Sequence, residues 1–274
     1  MAHTPILTDT IALARAAGAI ARAHFGNVER LTKRGEEAVT VADRAVQRHI
    51  VAALRARFPD DGVVGEENDD GSAITHERPR AGRRTWVIDP IDGTNNFVSG
   101  FSHFAVCIGL LDAGEAVLGV VYDVLRDQAY AAERGHGAWR DGDAIHAPGT
   151  PLSERAVLML TSNLLAADGH LPPWAAAFHG QTRLKVRVIG SAALEAVTVA
   201  AGIAHGAITI HCKLWDIAAA AAIVLEAGGT VTRPDGTPLF PFDLTGYAGA
   251  KTPFLVAGPQ AHAELLEFMR SRQG

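Results

Sequence analysis

The stretch Trp86-Val87-Ile88-Asp89-Pro90-Ile91-Asp92-Gly93-Thr94-Asn95-Asn96-Phe97 constrains the fold more than any other part of the chain. Trp86 to Ile88 is an apolar run that reads as a buried strand, and it leads directly into two carboxylates. Pro90 brings no N–H to a sheet ladder and pushes Asp89 into an extended conformation, so the strand is expected to stop there. Gly93 lets the backbone approach a ligand closely, and Thr94 suits the N-cap of whatever follows. Two acids at a strand end, with amides just behind them, can hold divalent metals and the phosphate those metals bind.

The 274 residues allow one large domain or two intimately packed lobes, and 48% hydrophobic content supports a substantial core. Helix-like and strand-like segments both occur between short turns bearing Gly or Pro, as in a mixed α and β enzyme. A net charge of −5 gives no basic footprint, so no nucleic-acid partner is expected. The two cysteines, Cys107 and Cys212, lie in apolar runs, which argues against a disulfide framework and for a reducing, intracellular setting. The N-terminus lacks the basic and apolar regions of a signal peptide, and no apolar run approaches the roughly 20 residues that span a bilayer. A cytoplasmic protein without membrane contact is expected.

Residues 8–25 read as a helix capped by Thr8 or Asp9, and residues 40–58 as a second, with Val46, Ile50 and Leu54 on one face and Pro59 beyond its end. Asp43 falls in the first turn of that second helix, where a carboxylate favours the positive helix end. Val63-Val64-Gly65-Glu66-Glu67-Asn68 is a short strand running into acids, and 69–83 is a polar loop. Taken alone, the glutamates read as solvated surface. Runs 104–111 and 115–123 read as an antiparallel hairpin, extended as a meander by 128–132 and 138–140. From Val157 onward strands and helices alternate. Val186 to Ile189 is a strand meeting Gly190-Ser191, and Ser191 caps a small-residue helix from Ala192 to Ala201. Amides at that helix start read equally as a phosphate cradle or as a plain helix start. Ala207 to Ile210 is a strand, and Leu214-Trp215-Asp216 opens an Ala-rich helix that Gly228-Gly229 closes. Asp216 is an acid at the head of a helix that must be buried. Residues 254–257 and 260–270 finish as strand and helix. With no repeat or linker, lobes at about 1–150 and 151–274 are expected to form a single catalytic domain.

Hard divalent cations prefer carboxylate, carbonyl and water oxygens. Asp89 and Asp92, three residues apart across a turn, are close enough to share metals about 3.5–4 Å apart. With Glu66 and Asp216 they make four acids, each at the end of an apolar element. Clustered and unpaired they would repel, and cations are the obvious neutraliser. Such a site can activate water and stabilise the leaving alkoxide of a phosphate ester. Competing patterns fail on spacing. The two acids are not the Asp-x-Asp-x-Thr of a haloacid-dehalogenase phosphatase, and neither a Walker loop nor a Gly-x-Gly-x-x-Gly follows a strand. The 12 histidines form no His-Glu-x-x-His; His211 and Cys212 are a minor alternative ligand pair.

Gly65-Glu66-Glu67, Asp89-Pro90-Ile91-Asp92-Gly93-Thr94-x-Asn96-Phe97 and Trp215-Asp216-Ile217-Ala218-Ala219, in this order, resemble the inositol monophosphatase family. The resemblance extends to Val39-Thr40-Val41-Ala42-Asp43 and Glu226-Ala227-Gly228-Gly229 and covers nearly the whole chain. It implies an α+β fold, a layered αβαβα sandwich. It also implies Mg²⁺-dependent, lithium-sensitive phosphomonoester hydrolysis with two or three ions, and usually a homodimer. By resemblance, Glu66, Asp89 and the Ile91 carbonyl hold one ion, and Asp89, Asp92 and Asp216 another. Thr94, bonded to Asp43, orients the attacking water. Gly93 and Thr94 amides bind phosphate, Gly190, Ser191 and Ala192 line the alcohol pocket, and Glu67 supports the ligands from behind.

One position departs from that pattern. Seven residues ahead of Asp216, relatives acting on inositol phosphate commonly carry a Glu that binds substrate hydroxyls, and here Thr209 stands there. A threonine hydroxyl still hydrogen-bonds but lacks charge and reach. The expected activity is hydrolysis of a small phosphorylated alcohol or sugar, inositol monophosphate first. Histidinol phosphate and fructose 1,6-bisphosphate are the alternatives on the same scaffold. A non-catalytic binding or regulatory protein is the reading of a different class.

Overall fold

The computed structural model describes residues 3–26, 30–32, 38–66, 75–80, 82–165, 169–180 and 182–272. Its first part contains α1 (Pro5–His24), β1 (Arg30–Thr32), β2 (Ala38–Thr40), α2 (Val41–Arg57), β3 (Gly62–Gly65), β4 (Thr75–Glu77), β5 (Arg84–Asp92), α3 (Thr94–Ser99), β6 (Ala105–Asp112), β7 (Glu115–Asp123), β8 (Gln128–Glu133), β9 (Ala138–Arg140) and β10 (Asp143–Ala144). The remainder contains β11 (Val157–Leu160), α4 (Pro173–Gly180), β12 (Lys185–Arg187), α5 (Ala192–Ala200), β13 (Gly206–Thr209), α6 (Leu214–Glu226), β14 (Thr230–Thr232), β15 (Phe254–Ala257) and α7 (Pro259–Arg270).

Strand alternation sorts these elements into layers. An eight-stranded sheet runs β10-β9-β8-β7-β6-β5-β3-β4, and a five-stranded sheet runs β12-β11-β13-β15-β14. On β5, Trp86 and Ile88 pack with α1 and α2, whereas Val87 points the other way, into a core shared with α5 and α6. On the second sheet, Met159, Ala207 and Val256 face that same shared core, and Leu158, Ile208 and Leu255 face α4 and α7. The result is helices, sheet, helices, sheet, helices: the αβαβα sandwich that the resemblance implies.

Several expectations need correction, among them the loop read over 69–83, within which the short strand β4 forms. The first helix begins at Pro5, because Thr4 Oγ1 accepts the Leu7 N–H at 3.2 Å and proline at the first helical position has no orphan N–H to satisfy. Strand β5 does not stop at Asp89. It runs on to Asp92 through a register shift in which Asp89 pairs with Cys107 and Asp92 with Ala105, so the missing Pro90 N–H falls in a bulge. That bulge is the local device that aims the acids.

Helix α6 lies unusually close to the sheet. A Cβ at Gly119 would stand 2.0 Å from the Ala219 carbonyl oxygen, and one at Gly109 2.8 Å from the Ala219 nitrogen. Glycine on two adjacent strands and alanine on the helix let the backbones meet, which sets the depth of Asp216 in the helix's first turn. Replacing Gly119 by Ala is expected to cost about 1–3 kcal/mol through overpacking. That is roughly 2–10 °C in Tm by thermal unfolding, and an unchanged Tm would contradict the close approach.

Candidate active site

Three acids from two elements converge at the carboxyl end of β5. Asp89 and Asp92 come from either side of the β5 bulge, and Asp216 from the first turn of α6. Each offers a carboxylate oxygen such that all lie within 4.8 Å of one another. Asp89 and Asp92 are buried. The Ile91 N–H donates to Asp89 Oδ1 at 3.0 Å, and the Ile91 carbonyl accepts from Thr94 Oγ1 at 3.0 Å. Glu66 follows β3 directly, and its N–H donates to the Ile88 carbonyl at 3.3 Å, one residue before Asp89. Parallel pairing of β3 with β5 brings the two acidic strand ends side by side.

These charges are held against their own repulsion. Burial pushes the Asp89 carboxyl well above the usual carboxylate range, followed by the charges of Glu66, Asp216 and Asp92 and a hydrogen bond with Asp216. Burial raises Asp92 to about 7, with Asp216 adding to it, while the Ser191 hydroxyl and the Ala193 and Ala192 amides pull it down. Carboxylates plus the Ile91 carbonyl make an all-oxygen donor set, which fits a hard divalent cation and would relieve the repulsion.

Asp43 is buried on α2, and Thr94 Oγ1 reaches its Oδ1 at 3.4 Å, longer than its bond to Ile91. Thr94 is not the N-cap: Gly93, at φ 94°, takes that position and Thr94 is the first helical residue of α3. At α5 the structure shows a helix start whose leading amides already have acceptors within the protein. Asp92 accepts the Ala192 N–H at 3.2 Å, the Ala193 N–H at 2.9 Å and the Ser191 hydroxyl, while the Gly190 N–H goes to Glu195 Oε1 at 3.1 Å. Those donors are therefore committed within the protein; Ser191 also caps the helix as expected. His211 and Cys212 do not join as ligands, since His211 Nε2 pairs with the Leu165 carbonyl and Cys212 Sγ donates to the Thr252 carbonyl. Both cysteines are free and buried. Thr209, at the end of β13, is buried, and its hydroxyl has no partner among the described residues. Glu67 lies outside the described residues.

Sequence reasoning missed Glu195 and the side chain of Asn96. Glu195 carried the signal that exposed Asp216, a single acid in an apolar helix. Burial raises its carboxyl to about 8, offset by the Ile189 and Gly190 amides. Nothing in the sequence marked the Asn96 side chain as a bridge between distant segments.

The fold and the acid cluster define a metal-dependent phosphatase that hydrolyses small phosphate monoesters. The chain belongs to the inositol monophosphatase family, whose sequence pattern matches residues 3–271. It is 36% identical over 236 residues to a fructose-1,6-bisphosphatase/inositol-1-monophosphatase of Thermotoga maritima, covering 84% of this chain and 85% of that one. It is 34% identical over 249 residues to the Nus factor SuhB of Pseudomonas aeruginosa, covering 86% and 88%. Among solved structures, a Thermotoga maritima IMPase superposes with a TM-score of 0.83 at 32% identity, covering 98% of both chains. Among the described residues no helix is long and apolar enough to cross a membrane.

The raised carboxyls fix a pH dependence for the metal-free protein. The folded state holds protons on Asp92 up to about 7 and on Glu195 up to about 8, against ordinary values of 3.8 and 4.5. Between pH 4 and 8 the unfolded chain therefore binds fewer protons, and these groups make stability fall as pH rises. Cation binding requires the ionised carboxylates and counters that fall. The Tm gain from adding a divalent cation should thus be small at pH 5 and large at pH 8. At a hundredfold excess over Kd it is about 2.7 kcal/mol, or roughly 5–10 °C. Equal gains at both pH values in a thermal-shift assay would contradict this electrostatic account.

Proposed function

We propose that this chain is a Mg²⁺-dependent phosphatase of small phosphorylated alcohols or sugars, with inositol monophosphate as the default substrate, working as a cytoplasmic homodimer. One observation carries the reading: Asp89, Asp92 and Asp216 converge within 4.8 Å of one another at a strand end. Glu66, Asp89 and the Ile91 carbonyl would hold one Mg²⁺, and Asp89, Asp92 and Asp216 a second; a third ion remains compatible with the resemblance. Bound Mg²⁺ supplies the charge that activates water and stabilises the leaving oxygen.

The chain's own groups then do the positioning. Thr94 Oγ1 would relay the proton of the attacking water: it takes that proton while its own hydrogen leaves the Ile91 carbonyl and passes to the Asp43 carboxylate at Oδ1, which ends the step protonated. Gly93, free of a side chain at positive φ, and Thr94 present their amides to the phosphate. Gly190, Ser191, Ala192 and Thr209 line the alcohol side. Because the Gly190 and Ala192 amides are committed elsewhere, that lining would act through carbonyls, surface shape and the Thr209 hydroxyl. We assign the whole chain to one catalytic unit, since α5 and α6 share a core with both sheets. No nucleic-acid or membrane partner enters this reading.

The Thermotoga maritima relative's name supports fructose 1,6-bisphosphate as an alternative substrate, and histidinol phosphate shares the same chemistry. The Nus factor name of the Pseudomonas aeruginosa relative points to the alternative of a role besides turnover. Phosphate release from inositol 1-phosphate, fructose 1,6-bisphosphate, histidinol phosphate and phosphoadenosine phosphate, with and without Mg²⁺, separates these readings. We expect Mg²⁺-dependent release from at least one ester. Asp89→Asn should lower it by about two orders of magnitude or more, because the substitution withdraws charge from both ions. Near wild-type turnover by this variant would overturn the site assignment.

A further inference from the structure

We infer that Glu195 and Asn96 are positioning residues that clamp one peptide unit, Ile189–Gly190, so that the 189–191 segment forms a fixed wall of the substrate site. The inference rests on the phosphatase reading above and names what sets the shape of the alcohol side. Asn96 Nδ2 donates to the Ile189 carbonyl at 2.7 Å, and Glu195 Oε1 accepts the Gly190 N–H at 3.1 Å. The carbonyl and the N–H of a single peptide plane are thus held from opposite sides. Glu195 Oε1 also accepts the Ile189 N–H at 3.1 Å, and Asn96 Nδ2 also donates to the His103 carbonyl at 2.7 Å. One clamp arm belongs to α5 and the other to α3, the helix that starts at the phosphate-binding turn.

The clamped segment borders the reacting groups. The Gly190 carbonyl lies 3.2 Å from where a side chain at Gly93 would begin, and Ser191, next along, donates its hydroxyl to Asp92. Gly190 has φ +73°, and a Cβ there would meet the Asn96 side chain at 3.2 Å, so the turn is fitted to its clamp. Glu195 is buried on the apolar side of α5, where an acid is costly unless its bonds are needed. Burial holds its carboxyl near 8, so it can accept both amides without adding a full charge beside Asp92 at neutral pH. Small displacements of such a wall are felt strongly in turnover.

The test uses the full chain with Mg²⁺ and two phosphate esters, one with a bulky cyclic alcohol and one with a small linear alcohol. Glu195→Leu keeps the bulk and removes the acceptor; Glu195→Gln keeps the acceptor. Asn96→Ala, at a half-buried site, releases the carbonyl arm should Glu195→Leu fail to fold. We expect Glu195→Leu or Asn96→Ala to raise KM for the bulky ester about tenfold or more, as misplacement of a positioning wall does. The small ester should be less affected, and half-activation by Mg²⁺ should stay within about twofold. Glu195→Gln should recover most of the lost KM. A folded Glu195→Leu or Asn96→Ala variant with wild-type KM for both esters overturns the inference. So does equal damage from Glu195→Gln and Glu195→Leu, or a matching loss in Mg²⁺ activation. If the wild-type enzyme itself releases no phosphate from any ester, the phosphatase reading fails instead.

Discussion

The mutual repulsion of Asp89, Asp92 and Asp216 is the constraint around which the molecule is arranged. Their carboxylate oxygens lie within 4.8 Å of one another, with two of the three residues buried. Burial, and after it the like charges alongside, pushes the Asp89 and Asp92 carboxyls above the usual carboxylate range. Packing holds them there. Gly109 and Gly119 bring α6 down onto the sheet, and the β5 bulge turns Asp89 and Asp92 toward it. A cation bound there would recover stability given up at this point, which would tie folding to function.

Two helix starts moderate the repulsion. Asp92 takes the first amides of α5, and Asp216 sits in the first turn of α6, accepting the Lys213 N–H. Both acids therefore meet the positive end of a helix. For Asp216, capping and a place in the acid cluster are the same position in the fold. The Ala192 and Ala193 amides of α5 go to Asp92 for the same reason. Glycine recurs where backbones must touch, at 93 and 190 across the site and at 109 and 119 beneath α6.

Much of this was legible in the sequence. The apolar run into Asp89 and Asp92, the acid opening an Ala-rich helix, and Glu66 at a strand end each marked an apolar element ending in charge. The strand alternation and the hairpin 104–123 gave the sheet. What was hidden depended on tertiary partners. Pro90 suggested a strand end because a bulge that tolerates it exists only against β6. The true start of α1 was legible locally, since Thr4 followed by Pro5 is a helix-start signal that outranks Thr8 and Asp9. The fate of the α5 amides rested on Asp92, about a hundred residues away in sequence. Glu195 was readable in principle by the reasoning that found Asp216; Asn96 was not, since its two carbonyl partners come from separate loops.

The most direct measurement of the central claim is an anomalous-scattering crystal structure of the protein soaked with Mn²⁺ as a Mg²⁺ substitute. The account predicts at least two anomalous peaks within coordination distance of Asp89, one shared with Glu66 and one with Asp92 and Asp216. Well-diffracting crystals that show no peak at these carboxylates at millimolar Mn²⁺, or peaks only elsewhere on the surface, would contradict it.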